Sequence, residues 1–353
     1  MHVLQDTENE KENIYVGIDV HKKSWSVAIM SDYLELKTFS QPPEPSVLAG
    51  YLQKHFPGAR YQSAYESGFS GFWVHRELVA LGIENRVVNP SDIPTTDKEK
   101  KQKRDAIDCR KIARSLRSKE LQGIHVPDEV IDQDKVLVRS RQKLVADIKR
   151  CKNRIKSQFH YWGVRIPEAM DPPYWSKAFR QWIRALVFEN DPASICLATQ
   201  LEALTSIEVQ KKRIEKQLIH LSETRYKELC GWLRSIPGIG LLGAMTLITE
   251  IKDIHRFSNL DKLHSFVGLV PNVSSSSERE TIRGITQRHN HYLRPVLVQC
   301  AWRAAKEDPM LFSHYTRLCR KMKANKAIIR IAKKVLNRIS YVWKNECEYE
   351  VKR

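Results

Sequence analysis

The tightest constraint in this chain lies between residues 14 and 90, where short apolar segments suited to strands alternate with short amphipathic segments. Ile14–Val20 (IYVGIDV), Trp25–Met30 (WSVAIM) and Tyr33–Phe39 (YLELKTF) are rich in β-branched and aromatic residues and separated by polar turns, which predicts three consecutive strands. A helix is expected over Ser46–Phe56, with Ser46 as its cap after the proline-rich turn at 42–45. Tyr61–Glu66 reads as a fourth strand, Gly71–Leu81 as a helix and Asn85–Asn89 as a fifth strand. A further helix is expected from Arg104 to Leu116, beyond the loop marked by Pro90 and Pro94.

Three strands in a meander followed by helix–strand–helix–strand is the ribonuclease-H-like order, not that of a doubly wound nucleotide fold. The rest of the chain is helical. Leu137, Leu144, Ile148, Cys151, Ile155, Phe159 and Trp162 recur at spacings of three, four or seven, and Ile207, Ile214, Leu218 and Leu221 do the same. Between these two runs, residues 163–195 are interrupted by Pro167, Pro172, Pro173 and Pro192. An antiparallel coiled coil or a dimer stalk fits this pattern, and so do two core helices of one globular domain. The fold class is therefore α/β plus α: a ribonuclease-H-like domain over 12–125, a helical coiled-coil region with an irregular insert over 126–228, and a mostly helical domain over 229–345.

Charge narrows the partners. The chain has 59 Lys and Arg against 41 Asp and Glu, a formal charge of +18, and the excess is clustered. Residues 139–156 carry eight basic side chains and one acid, 317–338 carry nine and none, and 97–120 carry ten and five. Three such blocks point to nucleic acid. The seven cysteines form no CxxC pair, which argues against a zinc ribbon and a disulfide framework. No run of about 18 apolar residues occurs, and Met1–Glu12 lacks the features of a secretory signal. A cytoplasmic, nucleoid-associated protein with no membrane partner is expected.

The acids form the first chemical constellation. Asp19 lies in a strand (GIDV), Glu66 ends another (AYESG), and Asp105 and Asp108 stand three apart in KRDAIDCRK, so they share a helix face. If strands one and four are neighbours and the following helix crosses them, the four carboxylates meet. Like charges that close require a cation, and hard oxygen ligands select Mg²⁺ or Mn²⁺, as in two-metal phosphodiester chemistry. A second feature is the turn IPGIGLLGA (Ile236–Ala244), in which Gly238 and Gly240 leave backbone N–H groups for a phosphate, as in helix-hairpin-helix DNA contacts; a tight packing turn has the same pattern. The third is Ser274–Ser277 with Arg279 and Arg283 nearby, a flexible loop or a nucleophile with its phosphate-neutralising arginines.

YVGIDVHKKSW, YESG, KRDAIDCRKIAR, LVADIKRCKNRIKSQFHYWG, SIPGIG with AMTLITEI, and GLVP…SSS…GIT…NHYLRP occur in that order over residues 14–343. Together they resemble the bacterial insertion-sequence transposases with a DEDD RuvC-like N-terminal domain and a C-terminal catalytic-serine domain, the bridge-RNA-guided recombinases. The resemblance implies that the DEDD set is Asp19, Glu66, Asp105 and Asp108. It places the serine nucleophile at Ser276, with Ser275 second, although Ser277 stands where the family has glycine and Gln287-Arg288-His289 where it has Lys-x-Gly.

The same resemblance implies a phosphoserine link to DNA and strand exchange between donor and target. It further implies a structured non-coding guide RNA, and dimers pairing into tetramers in which one protomer's first domain completes another's serine site. Nucleic-acid contacts are expected from Arg139, Arg141, Lys149, Arg150, Lys152, Arg154 and Lys156 of the basic helix. Arg279, Arg283 and Arg294 are expected to join them, as are Gly238 and Gly240.

A RuvC-type junction-resolving nuclease would use the same acids without a serine. A non-enzymatic nucleic-acid-binding protein accounts for the charge but not for the ordered acids. A kinase-like or actin-like ATPase would need a glycine-rich loop after the first strand, where His21-Lys22-Lys23 stands instead.

Overall fold

A computed structural model describes residues 12–95, 105–170, 175–188, 191–276 and 279–350, with the side chains of 106 and 273–283 left aside. The chain divides into two compact units, Met1–Val126 and Pro127–Arg353. The helical region 126–228 and the region from 229 onward thus share one unit.

In the first unit, β1 (Asn13–Val20), β2 (Trp25–Met30) and β3 (Glu35–Gln41) form an antiparallel meander, and β4 (Arg60–Glu66) and β5 (Glu84–Val88) add in parallel on the other side of β1. The sheet order is β3-β2-β1-β4-β5. The helices α1 (Pro45–His55) and α2 (Trp73–Ala80) follow β3 and β4. β1 is central, so it is apolar on both faces. Ile14, Val16 and Ile18 pack with Leu48, Leu52, Val74 and Leu78 of α1 and α2. Tyr15, by contrast, shares a core with Cys109, Ile112, Ala113 and Leu116 of α3 (Asp105–Arg117). Two helices cover one face and one covers the other.

Several sequence expectations shift. The helix expected over Gly71–Leu81 is Trp73–Ala80, and the strand expected over Asn85–Asn89 is Glu84–Val88. The irregular stretch expected over 163–195 contains a helix at Lys177–Arg184 and the start of another at Asp191. Two further shifts have a local cause. β3 runs two residues later than expected, because Ser31 Oγ accepts from the backbone N–H of Leu34 and prolongs the turn. α1 is capped at Glu44 rather than Ser46, since Pro45 takes the first helical position, where its missing N–H costs nothing.

In the second unit, α4 (Glu129–Tyr161) and α6 (Asp191–Glu223) are both 33 residues long, about 50 Å at 1.5 Å per residue. They lie antiparallel. Cys151, Ile155 and Phe159 meet Leu197, Leu201 and Leu204 at one end, together with Phe179 and Ile183 of α5 (Lys177–Arg184). At the other end Val138 meets Leu218 and Leu221 inside a larger core. Arg141 pairs with Glu215 at 2.9 Å, and Arg180 holds Glu208 with both guanidinium nitrogens at 2.7 and 2.9 Å.

The larger core is built by α7 (Lys227–Ser235), α8 (Leu241–Ile251), α9 (Leu260–Val267), α10 (Leu293–Glu307), α11 (Pro309–Cys319) and α12 (Ala324–Asn345). β6 (Pro271–Ser276) and β7 (Arg279–Ile285) form an antiparallel pair between α9 and α10. The serine run was expected as a flexible loop or as the segment carrying a nucleophile; Ser274–Ser276 lie within β6.

Candidate active site

The position of Asp19 follows from strand parity. Side chains alternate along β1, so Tyr15, Gly17 and Asp19 face α3 while Ile14, Val16 and Ile18 face away. Parity places Glu66 on the same face of β4, where Ala64 joins the α3 core and Tyr65 the opposite one. The β1–β4 register ends with Ile18 beside Tyr65, which leaves Asp19 and Glu66 as the next residues along adjacent strands.

The helix approaches unusually closely. A Cβ built on Gly17 would lie 2.0 Å from the Cys109 carbonyl oxygen and 2.5 Å from the Ala113 nitrogen. Glycine there lets α3 lie directly on β1, with Asp105 and Asp108 in its first turn. That turn is also where backbone N–H groups lack helical partners and favour negative charge.

His21, just beyond β1, completes the arrangement. Its Nε2 lies 3.1 Å from Asp19 Oδ2 and 3.7 Å from Asp105 Oδ2. One donor atom from each of Asp19, His21 and Asp105 falls within 4.8 Å of the others, the one such group among the described residues. Glu66 and Asp108 stand outside it. Burial raises the Asp19 carboxyl above the ordinary range, and the Asp105 and Asp108 carboxylates raise it further, against the opposing effect of His21. A cation among these donors would relieve both costs, so the residues fit a divalent metal. Asp108 already has a partner in Lys111, whose Nζ sits 3.0 Å from Oδ1. His21 and Lys111 were not among the expected site residues. The spacing of each from an acid, two along the chain end and three along a helix, was the available signal.

Ser275 lies opposite Glu280 and Ser276 opposite Arg279, beside the turn of the β6–β7 pair. Arg279 and Arg283 are on β7, with their side chains outside the description. Ser277 lies outside the described residues. At the base of the pair, the Thr286 N–H donates to the Val270 carbonyl at 2.9 Å. Arg294 donates from Nη1 to the carbonyls of Gly268 and Thr286 at 3.2 and 2.7 Å, clamping both ends.

The remaining basic candidates separate into two groups. Arg139 is bonded to Glu250, Arg141 to Glu215, and Lys152 lies over the Trp175 ring, with burial lowering its pKa. Lys149, Arg150 and Arg154 are exposed, Arg150 with Asp147 as partner, and Lys156 is half-buried. Gly238 has φ 88°, and a Cβ there would meet the Cys300 carbonyl oxygen at 2.5 Å, so its immediate work is to bring the α7–α8 turn against α10. Gly240 caps α8 with open space around it. Replacing Lys149, Arg150 and Arg154 together with Ala should flatten the salt dependence of DNA binding by up to about 2.7 log units per log unit of salt, from about 0.9 per phosphate neutralised. Filter binding of the triple variant between 50 and 300 mM salt, roughly the useful range for such slopes, checks this; an unchanged slope makes the exposed face merely solvated.

Comparison with known proteins finds one family pattern that runs from the first unit through α4 and a second inside the second unit. The pattern of the IS110-type DEDD transposase domain matches residues 16–161, and that of the transposase IS116/IS110/IS902 family matches residues 230–317. The transposase for insertion sequence element IS1533 of Leptospira borgpetersenii is 28% identical over 304 residues, covering 83% of this chain and 85% of that protein. The y4qE protein of Sinorhizobium fredii is 31% identical over 240 residues, 67% of this chain and 57% of its own length. The transposase for IS1111A of Coxiella burnetii is 25% identical over 248 residues, 66% of this chain and 63% of its own. The chain therefore spans under two thirds of two of these three relatives. No helix among the described residues is long and apolar enough to cross a membrane. One pattern lies over the sheet and its carboxylates and the other over helices that carry the β6–β7 pair, so over both stretches the chain matches the IS110/IS116 family of insertion-sequence transposases, the first match being to its DEDD domain.

Proposed function

We propose that this chain acts as the transposase of an insertion sequence, cutting and rejoining DNA phosphodiesters with the carboxylate end of its sheet as the reacting centre. The observation that carries this reading is the Asp19–His21–Asp105 donor group on a rigid strand end, with Glu66 on the neighbouring strand and Asp108 on the same helix. Divalent cations, Mg²⁺ or Mn²⁺, would supply charge stabilisation to the phosphoryl oxygens. The protein's part is placement: β1 fixes Asp19, β4 fixes Glu66, and the Gly17 crossing fixes Asp105 and Asp108. Lys111 orients Asp108. The basic surfaces hold nucleic-acid backbone, whose phosphates carry most of the affinity and little of the sequence information.

The finer reading adds a serine. Ser276, or Ser275 beside it, would attack phosphorus through Oγ, lose its proton to a base and displace a sugar oxygen, leaving a phosphoserine. Its support is the β6–β7 pair, whose base Arg294 holds through the Gly268 and Thr286 carbonyls, together with the family resemblance of the flanking motifs. On the same resemblance the proposal includes a structured guide RNA that pairs with donor and target DNA, and a homodimer that pairs into a tetramer. Carboxylates and metal alone can also cleave DNA, so the test separates the two.

Purified protein, its element-flanking RNA, Mg²⁺ and labelled donor DNA are quenched in denaturant and resolved on a gel. Asp19→Asn or Asp105→Asn should reduce strand cutting by at least about 1000-fold, since charge stabilisation of several kcal/mol is lost. A covalent protein–DNA band that disappears in Ser276→Ala, or in Ser275→Ala, establishes the serine. Metal-dependent cutting with no covalent band and no effect of either substitution assigns the reaction to the carboxylates alone.

A further inference from the structure

We infer that His21 is itself a metal ligand of this centre, making it a mixed nitrogen–oxygen site that prefers Mn²⁺-like transition-metal ions over Mg²⁺. The inference rests on the metal reading proposed above and concerns a residue outside the DEDD set. His21 is half exposed, at the mouth of the group, and its Nε2 is the one nitrogen donor in it. That atom is directed at one oxygen of each of two carboxylates, 3.1 and 3.7 Å away. A cation bound by Asp19 and Asp105 would occupy the space that Nε2 already borders.

The backbone favours this placement. β1 ends at Val20 and β2 begins at Trp25, with Val20 paired to Trp25, so His21 is the first residue of a short tight connection and its position is fixed by the register of both strands. Among the described residues, Glu66, Asp108 and Lys111 carry charge near this end, as do the exposed Lys22 and Lys23 that follow His21. Lys111 is bonded to Asp108, and His21 is the side chain that brings a nitrogen donor beside Asp19 and Asp105. Coordination chemistry gives the consequence. Mg²⁺ demands oxygen ligands in near-ideal octahedral geometry, whereas first-row transition-metal ions accept imidazole better than Mg²⁺ does, Mn²⁺ the most weakly among them. One imidazole among carboxylates therefore shifts the preference toward Mn²⁺ without excluding Mg²⁺.

The test uses the full chain without DNA. Mn²⁺ binding is followed by the loss of the free-ion electron paramagnetic resonance signal, and ¹⁴N coupling of bound Mn²⁺ by electron spin-echo modulation. Mg²⁺ competition gives the affinity ratio. The parent should show ¹⁴N modulation; His21→Asp should still bind Mn²⁺, lose that modulation and lower the Mn²⁺-to-Mg²⁺ affinity ratio by about tenfold. His21→Ala should lose the modulation as well. Circular dichroism of each variant confirms folding, which a half-exposed turn residue should not disturb. Mn²⁺ binding that requires Asp19 but shows no ¹⁴N modulation, or modulation that survives in His21→Asp, overturns the ligand role of His21 and leaves the metal reading standing. Absence of any Asp19-dependent Mn²⁺ binding overturns both.

Discussion

Gly17→Ala should disable the candidate site more thoroughly than removal of most surface charges, although Gly17 touches no substrate. The added methyl group would meet backbone on both sides, 2.0 Å from the Cys109 oxygen and 2.5 Å from the Ala113 nitrogen, so no flexible side chain can yield. α3 must lift from β1 by about 1 Å or more, since overpacked cores adjust by backbone shifts that cost about 1–3 kcal/mol and sometimes more. Asp105 and Asp108 ride on that helix. A displacement of about 1 Å between catalytic groups can cost about 100-fold in rate. The variant should therefore show a lower melting temperature, weaker Mn²⁺ binding and at least that loss of strand cutting. Gly50→Ala is the matched control. It lies inside α1 with nothing within 4 Å of its added Cβ, and the change should stabilise by up to about 1 kcal/mol through helix propensity. If Gly17→Ala keeps cutting within about threefold of the parent, a ratio worth under 1 kcal/mol, the close crossing does not set the site.

The second large effect is expected at Glu250, far from any acid of the DEDD set in the sequence. Its side chain is 2% exposed and accepts from Arg139 Nε and Nη2 at 2.6 and 2.9 Å and from Asn290 Nδ2 at 2.9 Å. Asn290 Oδ1 in turn accepts the backbone N–H groups of Tyr292 and Leu293 at the start of α10, and the Arg139 guanidinium lies 4.4 Å from the centre of the Tyr292 ring. One carboxylate thus joins α4, α8 and the entry to α10. Glu250→Ala strands a guanidinium and an amide, and breaking a buried pair in this way costs about 3–5 kcal/mol, toward the lower end here because Arg139 still reaches water. The double change Arg139→Met with Glu250→Met should cost less than Glu250→Ala, since no charge is then left alone. Urea midpoints for the three proteins check this; equal midpoints for Glu250→Ala and the parent would remove the network from the account of the fold.

These two sites show what could and could not be read from the chain alone. The sheet was legible because each strand of the first unit has its own apolar period, and the order of strands and helices left few ways to connect them. Asp19 and Glu66 followed from that order, as did the shared face of Asp105 and Asp108. Gly17 was hidden, because nothing local distinguishes a glycine under a helix from a glycine in any strand. Arg139 and Arg141 read as nucleic-acid contacts because their carboxylate partners are 111 and 74 positions away. Clustered positive charge in a helix says nothing about acids brought in by another. The β6–β7 pair was hidden for a different reason: a run of serines has weak strand preference and no apolar alternation, and its form is imposed by Arg294 and the flanking backbone bonds.

The long pair α4 and α6 has a mechanical consequence. Its buried side chains gather at two ends, Val138 with Leu218 and Leu221, and Cys151, Ile155 and Phe159 with Leu197, Leu201 and Leu204. Between them lies a stretch without fully buried apolar residues, where Ile148, Ile207 and Ile214 are only partly buried and the Arg141–Glu215 pair crosses between the helices, Glu215 also holding Lys211 of its own helix. Polar pairs that water can replace resist bending less than interlocked apolar side chains. The pair is therefore a lever with a stiff root, a stiff aromatic tip and a compliant waist. A load on the tip is taken up as flexure at the waist before it strains the core at the root.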